Sequence, residues 1–299
     1  SGGGATYMLP GLVEANESSI SILAITSDVS VKARGHYPLT ELDQEGLMKP
    51  LTKWNTVINH SEMLPDAVRS AFRNITTGRP GSGHLGFPID VQRDNVDPQS
   101  IWADTNYGSF PAYPAGPDMK YVEQALEAIQ SASFPVVICG GGIILAGGES
   151  ELTSFIEILD IAVATTISGQ GTISEQHPNC VGVVGSNGGV PETREIINQA
   201  DLVVFIGCRA GSVTTELWSY PPKNIRIVHI DSAPAVISAT YDTEVAVVSD
   251  ARLALIAINT LLAENPPTRA QFGGAKAVEK QKKIKWNAFN ILASSDDTP

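Results

Sequence analysis

Charge is scarce and one-sided in this 299-residue chain: 17% of its residues are charged, and 20 Lys and Arg stand against 32 Asp and Glu for a formal net charge of −12. So acidic a balance argues against nucleic acid or an anionic membrane surface as a partner. Cysteine is rare as well. Cys139, Cys180 and Cys208 occur singly and far apart, without a CxxC pair, which excludes a disulfide framework and the usual zinc spacings. Each of Cys139 and Cys208 ends an apolar run, the setting of a small buried hydrophobe. No apolar run nears the ~20 residues that cross a bilayer, and Ser1-Gly-Gly-Gly4 is not a charged start followed by an apolar core. The cytoplasm is the expected location. What is present is an ordinary core: 42% hydrophobic residues over a length that suggests about two domains.

The chain is organised around FPVVICGGGIILAGGESELTSFIEILD, residues 134–160. Pro135 to Cys139 is an all-apolar, largely β-branched run suited to a strand buried on both faces of a parallel sheet. Gly140, Gly141 and Gly142 follow, able to turn tightly and to bring backbone N–H groups close to a ligand. Leu152, Phe155, Ile156 and Leu159 then recur at helical spacing. Strand, glycine turn and helix together favour an anionic group at the helix start. GGG is not the GxGxxG fingerprint, and a glycine run after a strand also serves as a plain tight connection.

Before this stretch, residues 21–26, 53–58 and 83–89 are expected as strands, with a helix through Leu64, Ala67, Val68, Ala71, Phe72 and Ile75. Residues 29–49 are expected as a long loop with one or two short turns, and residues 99–119, marked by Pro111, Pro114 and Pro117, as a linker. After it, strands at 135–139, 162–166, 202–206, 226–230 and 245–248 alternate with helical patterns, with a short apolar run at 181–184 between the second and third, which predicts crossover units and a parallel sheet. Gly, Ser, Thr, Arg or Asp follows the strands at Pro135, Ala162, Leu202, Arg226 and Val245, so one sheet edge gathers the polar turns and is where a ligand crevice belongs. The tail carries a basic helix-like patch, Lys276 to Lys285, expected as a solvated face.

Four stretches carry a resemblance to a known family: SGGGATYMLPGLVEA, LTELDQEGLMKPLTKWN, TGRPGSGHLGFPIDVQ and the unit from Pro135 to Glu264 with its PVVICGGG, SGQGTIS, ADLVVFIGCR and IVHIDSAP segments. The chain resembles the thiamine-diphosphate-dependent enzymes of the acetolactate synthase, pyruvate oxidase and 2-oxo-acid decarboxylase group. The resemblance implies an α/β fold in which residues 1–98 are the second half of a pyrimidine-binding domain. Residues 99–119 are then a linker, 120–264 a parallel-sheet Rossmann-like central domain, and 265–299 a connector towards a further domain. It also implies thiamine diphosphate and Mg²⁺ as cofactors of the whole protein, a 2-oxo-acid substrate, a homo-oligomer, and FAD or ADP as a possible occupant of the central domain.

Positions matching that crevice are Gly140, Gly141 and Gly142, Thr166 and Ser168, Gly185, Ser186, Asn187, Gly188 and Gly189, Gly207, Cys208 and Arg209, Asp231, and Asp250. Arg209 is read either as a pyrophosphate donor or as a capping or surface residue, and Asp231 either as a ribose acceptor or as a helix cap. Cys208 is read as a space filler. Neither the family's catalytic glutamate nor its GDG-to-Asn metal motif is found in the 299 residues, and Leu39-Thr40-Glu41 stands where the acetolactate synthase branch has Phe-Gln-Glu. No catalytic or metal-binding residue is therefore assigned, and the chain alone is expected to be inactive. The alternative is a noncatalytic nucleotide-binding or interaction module. An NAD-dependent deacylase is disfavoured by the isolated cysteines and by His60, His84, His177 and His229, which lie in no catalytic setting, while His36 is a candidate for a substrate-side role. Residues 1–98, taken as half a domain, are expected to expose a sheet edge.

Overall fold

The computed structural model describes residues 1–267 and 272–294. The chain divides into two units, Ser1–Tyr113 and Pro114–Pro299. In the first, strands β1 (Ile22–Asp28), β2 (Trp54–Val57) and β3 (Ser82–Pro88) form a parallel sheet in the order β1-β3-β2. Helices α1 (Gly3–Thr6), α2 (Leu9–Glu17), α3 (Gln44–Met48) and α4 (Leu64–Ile75) supply its layers. Ala67 and Ala71 of α4 pack with Ile58, Leu85 and Val91, while Ala5, Leu12 and Met48 cover Ala24 in a separate cluster. β1 ends the sheet on one side and leaves Ile25 63% exposed.

A buried polar chain crosses this small core. The Gln44 amide nitrogen donates to the Ser27 carbonyl at 2.9 Å, which turns Gln44 Oε1 towards Thr26 as the acceptor of its hydroxyl proton. Thr26 Oγ1 then accepts from His84 Nε2 at 2.8 Å, so the proton sits on Nε2 and the buried Nδ1 is left without a partner.

Two stretches read as loop or linker are built into this unit. Asp43 caps α3 by accepting the Gly46 N–H at 2.9 Å, so the expected 29–49 loop holds a helix. Arg69 of α4 ties down the proline-rich stretch: its guanidinium donates to the Ser100 carbonyl at 3.1 Å and lies 4.3 Å from the centre of the Trp102 ring. The first unit thus runs on to Tyr113 rather than stopping at residue 98.

The second unit has six strands, β4 (Pro135–Cys139), β5 (Ala162–Thr165), β6 (Cys180–Val183), β7 (Leu202–Ile206), β8 (Arg226–Asp231) and β9 (Val245–Val248), all paired in parallel in the order β6-β5-β4-β7-β8-β9. Its helices are α5 (Met119–Ser131), α6 (Gly142–Ala146), α7 (Glu149–Leu159), α8 (Pro191–Asn198), α9 (Ala251–Glu264) and α10 (Gly274–Ala293). Alternation along the strands divides the core. Val137, Cys139, Val204 and Ile206 point to the face covered by α5, α7 and α9, while Val136, Ile138, Val203 and Phe205 point to the face covered by Ile196 and Ile197 of α8 and Val278 of α10. This is the α/β class expected from the residues, with all five residues of β4 and of β7 buried.

The basic patch at Lys276 to Lys285 lies on α10, whose Gly274 and Val278 are buried against the unit while Trp286, Phe289 and Leu292 are exposed. Gly274 N–H donates to the Asp160 carbonyl at 2.8 Å and fixes the start of this helix. The connector read at 265–299 is therefore docked at Gly274 and Val278; residues 268–271 and 295–299 lie outside the described residues.

Candidate site at the carboxyl edge of the second sheet

Because all pairings in the second sheet are parallel, the turns after its six strands share one edge. The chain proceeds outward from β4 to β5 and β6, then returns to place β7 on the other side of β4. The reversal makes the ends of β4 and β7 a topological switch point, where neighbouring connections leave in opposite directions, the usual place for a ligand in an open parallel sheet.

Gly140–Gly142 and Gly207 meet there. A Cβ on Gly140 would lie 2.0 Å from the Gly207 carbonyl oxygen, and one on Gly142 would lie 2.6 Å from Gly207 Cα. On the other side, a Cβ on Gly141 would lie 2.9 Å from the Ser168 carbonyl oxygen. The glycines thus let three strand ends pack backbone against backbone. Part of the N–H capacity that the glycine run offers is spent inside the fold. Gly140 N–H donates to the Ile206 carbonyl at 2.9 Å and Gly142 N–H to that of Gly207 at 3.1 Å, so two of the three donors are used within the fold.

The other candidate residues divide by what their side chains do. Ser168, Ser186, Asn187, Gly188 and Arg209 are exposed at this edge. Thr166 is buried and accepts the Gly169 N–H at 3.0 Å, fixing its own turn. Asp231 accepts the Ala233 N–H at 2.9 Å, and Asp250 caps α9 by accepting the Leu253 N–H at 3.0 Å. Asp250 is thus a helix cap, whereas Asp231 closes a local turn at the end of β8. Cys208 fills space, and burial pushes its thiol up to about 12. His229 Nε2 donates to the Cys208 carbonyl at 2.9 Å; burial lowers its pKa against the opposing pull of Asp231. In the first unit, His36 is exposed on the loop between β1 and α3.

Residues that sequence reasoning missed lie in the segment after β7. From Gly207 it reaches the turn after β6, two strands beyond β4: Gly185 N–H donates to Tyr220 Oη at 2.7 Å and Ser186 N–H to the Val213 carbonyl at 2.9 Å. At the spacing of strands that is a reach of about 14 Å past the ends of β4 and β5. Glu216, Leu217 and Trp218 are consecutive non-glycine residues at φ of 47°, 56° and 60°. Such a left-handed turn costs roughly 1–2 kcal/mol per residue. It is held by Thr215, fully buried, whose Oγ1 accepts the Trp218 N–H at 3.0 Å and whose carbonyl accepts the Ser219 N–H at 2.9 Å. Arg194 of α8 donates to both carboxylate oxygens of Glu216, and its guanidinium lies 5.6 Å from the centre of the Tyr220 ring. Leu217 and Trp218 stay 74% and 45% exposed at the tip. Nothing in the local sequence, which has neither glycine nor proline at these three positions, signals this turn.

No group of three or more His, Cys, Asp or Glu side chains able to hold a metal ion is present among the described residues. Among those residues no helix is long and apolar enough to cross a membrane. The second unit is thus a doubly wound α/β module with a topological switch point between β4 and β7.

Comparison with known proteins narrows this class. A family model described as "Thiamine pyrophosphate enzyme, central domain" matches residues 122–258, which begin inside α5 and end inside α9. A probable acetolactate synthase large subunit of Methanococcus aeolicus is 35% identical over 258 residues, 85% of this chain and 43% of that protein. The acetolactate synthase large subunit of Corynebacterium glutamicum is 34% identical over 255 residues, 84% of this chain and 40% of its own length. Glyoxylate carboligase of Escherichia coli O157:H7 is 31% identical over 265 residues, 88% of this chain and 43% of its own length. Residues 122–258 thus match the central domain of thiamine pyrophosphate enzymes, and the chain is similar over most of its length to part of acetolactate synthase large subunits. It spans less than half the length of these relatives.

Proposed function

We propose that these residues serve a 2-oxo-acid-decarboxylating enzyme that transfers the resulting two-carbon unit, acting in the cytoplasm as a homo-oligomer. Residues 1–113 would contribute part of the pyrimidine-binding unit and 114–294 the central domain. The observation that carries this reading is the likeness to acetolactate synthase large subunits over 85% of the chain. Thiamine diphosphate, when bound, supplies the electron sink for decarboxylation, and the protein's part is to hold and orient it. The residues in hand do not fit its metal: no acidic or His cluster of ligand size occurs among the described residues, and the sequence has no GDG-to-Asn motif. On this proposal the 299 residues by themselves are inactive. Thiamine diphosphate, Mg²⁺ and pyruvate added to this chain should release no CO₂, and turnover above the protein-free rate would refute this.

A second reading is favoured by the shared edge of the six turns: the central unit binds FAD or ADP there. Gly141 has the one N–H of its triplet not paired with the β7 end, beside the exposed Ser168 and within the same edge as Arg209. Calorimetric titration with ADP and with FAD tests it. A micromolar signal that Gly141→Val abolishes supports the site, and absence of heat with both ligands removes it.

A further inference from the structure

We propose that residues 211–219 form a latched strap along the carboxyl edge, shut by the Arg194–Glu216 ion pair and able to swing away between its anchors at Ala210 and the buried Tyr220 to open the edge beside the switch point. Three observations made above converge on it. The segment is anchored at both ends: it leaves the edge at Gly207–Ala210 and is fastened to the turn after β6 through Tyr220 Oη and the Val213 carbonyl. Between these points its backbone is held in a left-handed turn that three side-chain-bearing residues do not adopt unaided. Inside the segment the turn is held by Thr215 and by the Ser212 carbonyl, which accepts the Leu217 N–H at 2.7 Å, and the side chain that ties its tip to a different element is Glu216, through the ion pair to α8.

Backbone strain at a tip that one ion pair ties to α8 makes two discrete arrangements natural. With the ion pair formed, Thr215 organises the turn; with it broken, Glu216, Leu217 and Trp218 relax to ordinary backbone. The apolar tip offers little resistance to the motion at Leu217, which is 74% exposed in the shut form. Opening would uncover what lies at the root of the strap, and Cys208 is there, 5% exposed when shut and two residues ahead of Ala210, whose N–H donates to its sulfur at 3.4 Å. Cys180, buried in β6, is outside the strap and serves as an internal reference. The strap does not depend on which ligand the edge takes.

The test is ligand-free. The rate at which dithiobis-nitrobenzoate labels Cys208, identified by peptide mapping, is measured in the whole chain and in Glu216→Gln, Arg194→Met, the double variant and Arg194→Lys. Each single variant should raise the Cys208 rate about tenfold or more while the Cys180 rate stays within twofold. The double variant should match the singles, because both remove one pair, and Arg194→Lys should stay within threefold of the parent. Hydrogen exchange of the β4 and β7 amides, unchanged in the same variants, separates strap opening from unfolding. Equal Cys208 rates in parent and single variants, or a double variant with the multiplied effect of both, would overturn the latch. Failure of ADP or FAD to bind bears on the nucleotide reading alone, since labelling involves neither.

Discussion

Acidification should unfold the first unit through one imidazole. His84 is fully buried, its Nε2 proton is committed to Thr26, and Nδ1 faces no acceptor, so a second proton would create a buried donor without a partner. Burial lowers its pKa from 6.5 to about 4, against a smaller opposing pull from Asp28. A folded value below the unfolded one means that the unfolded chain takes up the proton first. Stability is then whole above about pH 6.5 and declines as pH falls towards 4, by about 3 kcal/mol over that window. Asp90 acts elsewhere on the scale. Although partial burial opposes it, hydrogen bonds from Ser30 and the Val31 N–H hold its carboxyl at about 2, so its contribution is lost only below its ordinary 3.8. Urea unfolding of residues 1–113, followed by exchange of the β1 and β3 amides at several pH values, isolates the histidine. The parent should lose stability between pH 6.5 and 4, and His84→Leu should be flat there. A parent curve level across this window, or an equal slope in His84→Leu, would refute the assignment.

Three further outcomes are expected. Gly140→Ala should destabilise the second unit by about 3 kcal/mol, because its new methyl group must displace the Gly207 backbone 2.0 Å away; a loss under 1 kcal/mol in urea melts would show that the β4 and β7 ends part easily. Asp250→Ala should cost about 1 kcal/mol by uncapping α9, and Asp250→Ser should recover most of it; equal losses would mean that the cap is not the reason. Phe155→Ala should remove roughly 3–5 kcal/mol from the second unit, leaving protection of the β1 and β3 amides unchanged; a coupled loss in both units would contradict their separate cores.

Eight of the nine strands among the described residues were legible, most of them because apolar β-branched runs flanked by Gly, Pro and Asp leave few readings, and parallel order followed from the helical spacers in the second unit; β6 showed only as a short apolar run. Turns were harder. The helix α3 hid because a five-residue element with Gly46 inside it gives no period, and its Asp43 cap is visible only once the backbone is folded. The proline-rich stretch looked free because Arg69, which holds it at Trp102, is 33 positions away in the chain. At the edge, residue type marked where Gly140–Gly142 and Gly207 would fall, yet not what they serve, since the demand for glycine comes from two turns that approach each other only through the sheet order. Arg194, Glu216 and Tyr220 had no signature at all, because their roles arise from a meeting of α8 with the segment after β7.

The inequality of the two hydrophobic interiors has a practical outcome. Around the three-stranded sheet the buried apolar side chains are few and often alanine, whereas the six-stranded sheet is packed on both faces by long aliphatic rows. Warming should therefore produce two melting steps rather than one, and a protease added between them should digest the amino-terminal third while sparing a core fragment that begins near Pro114.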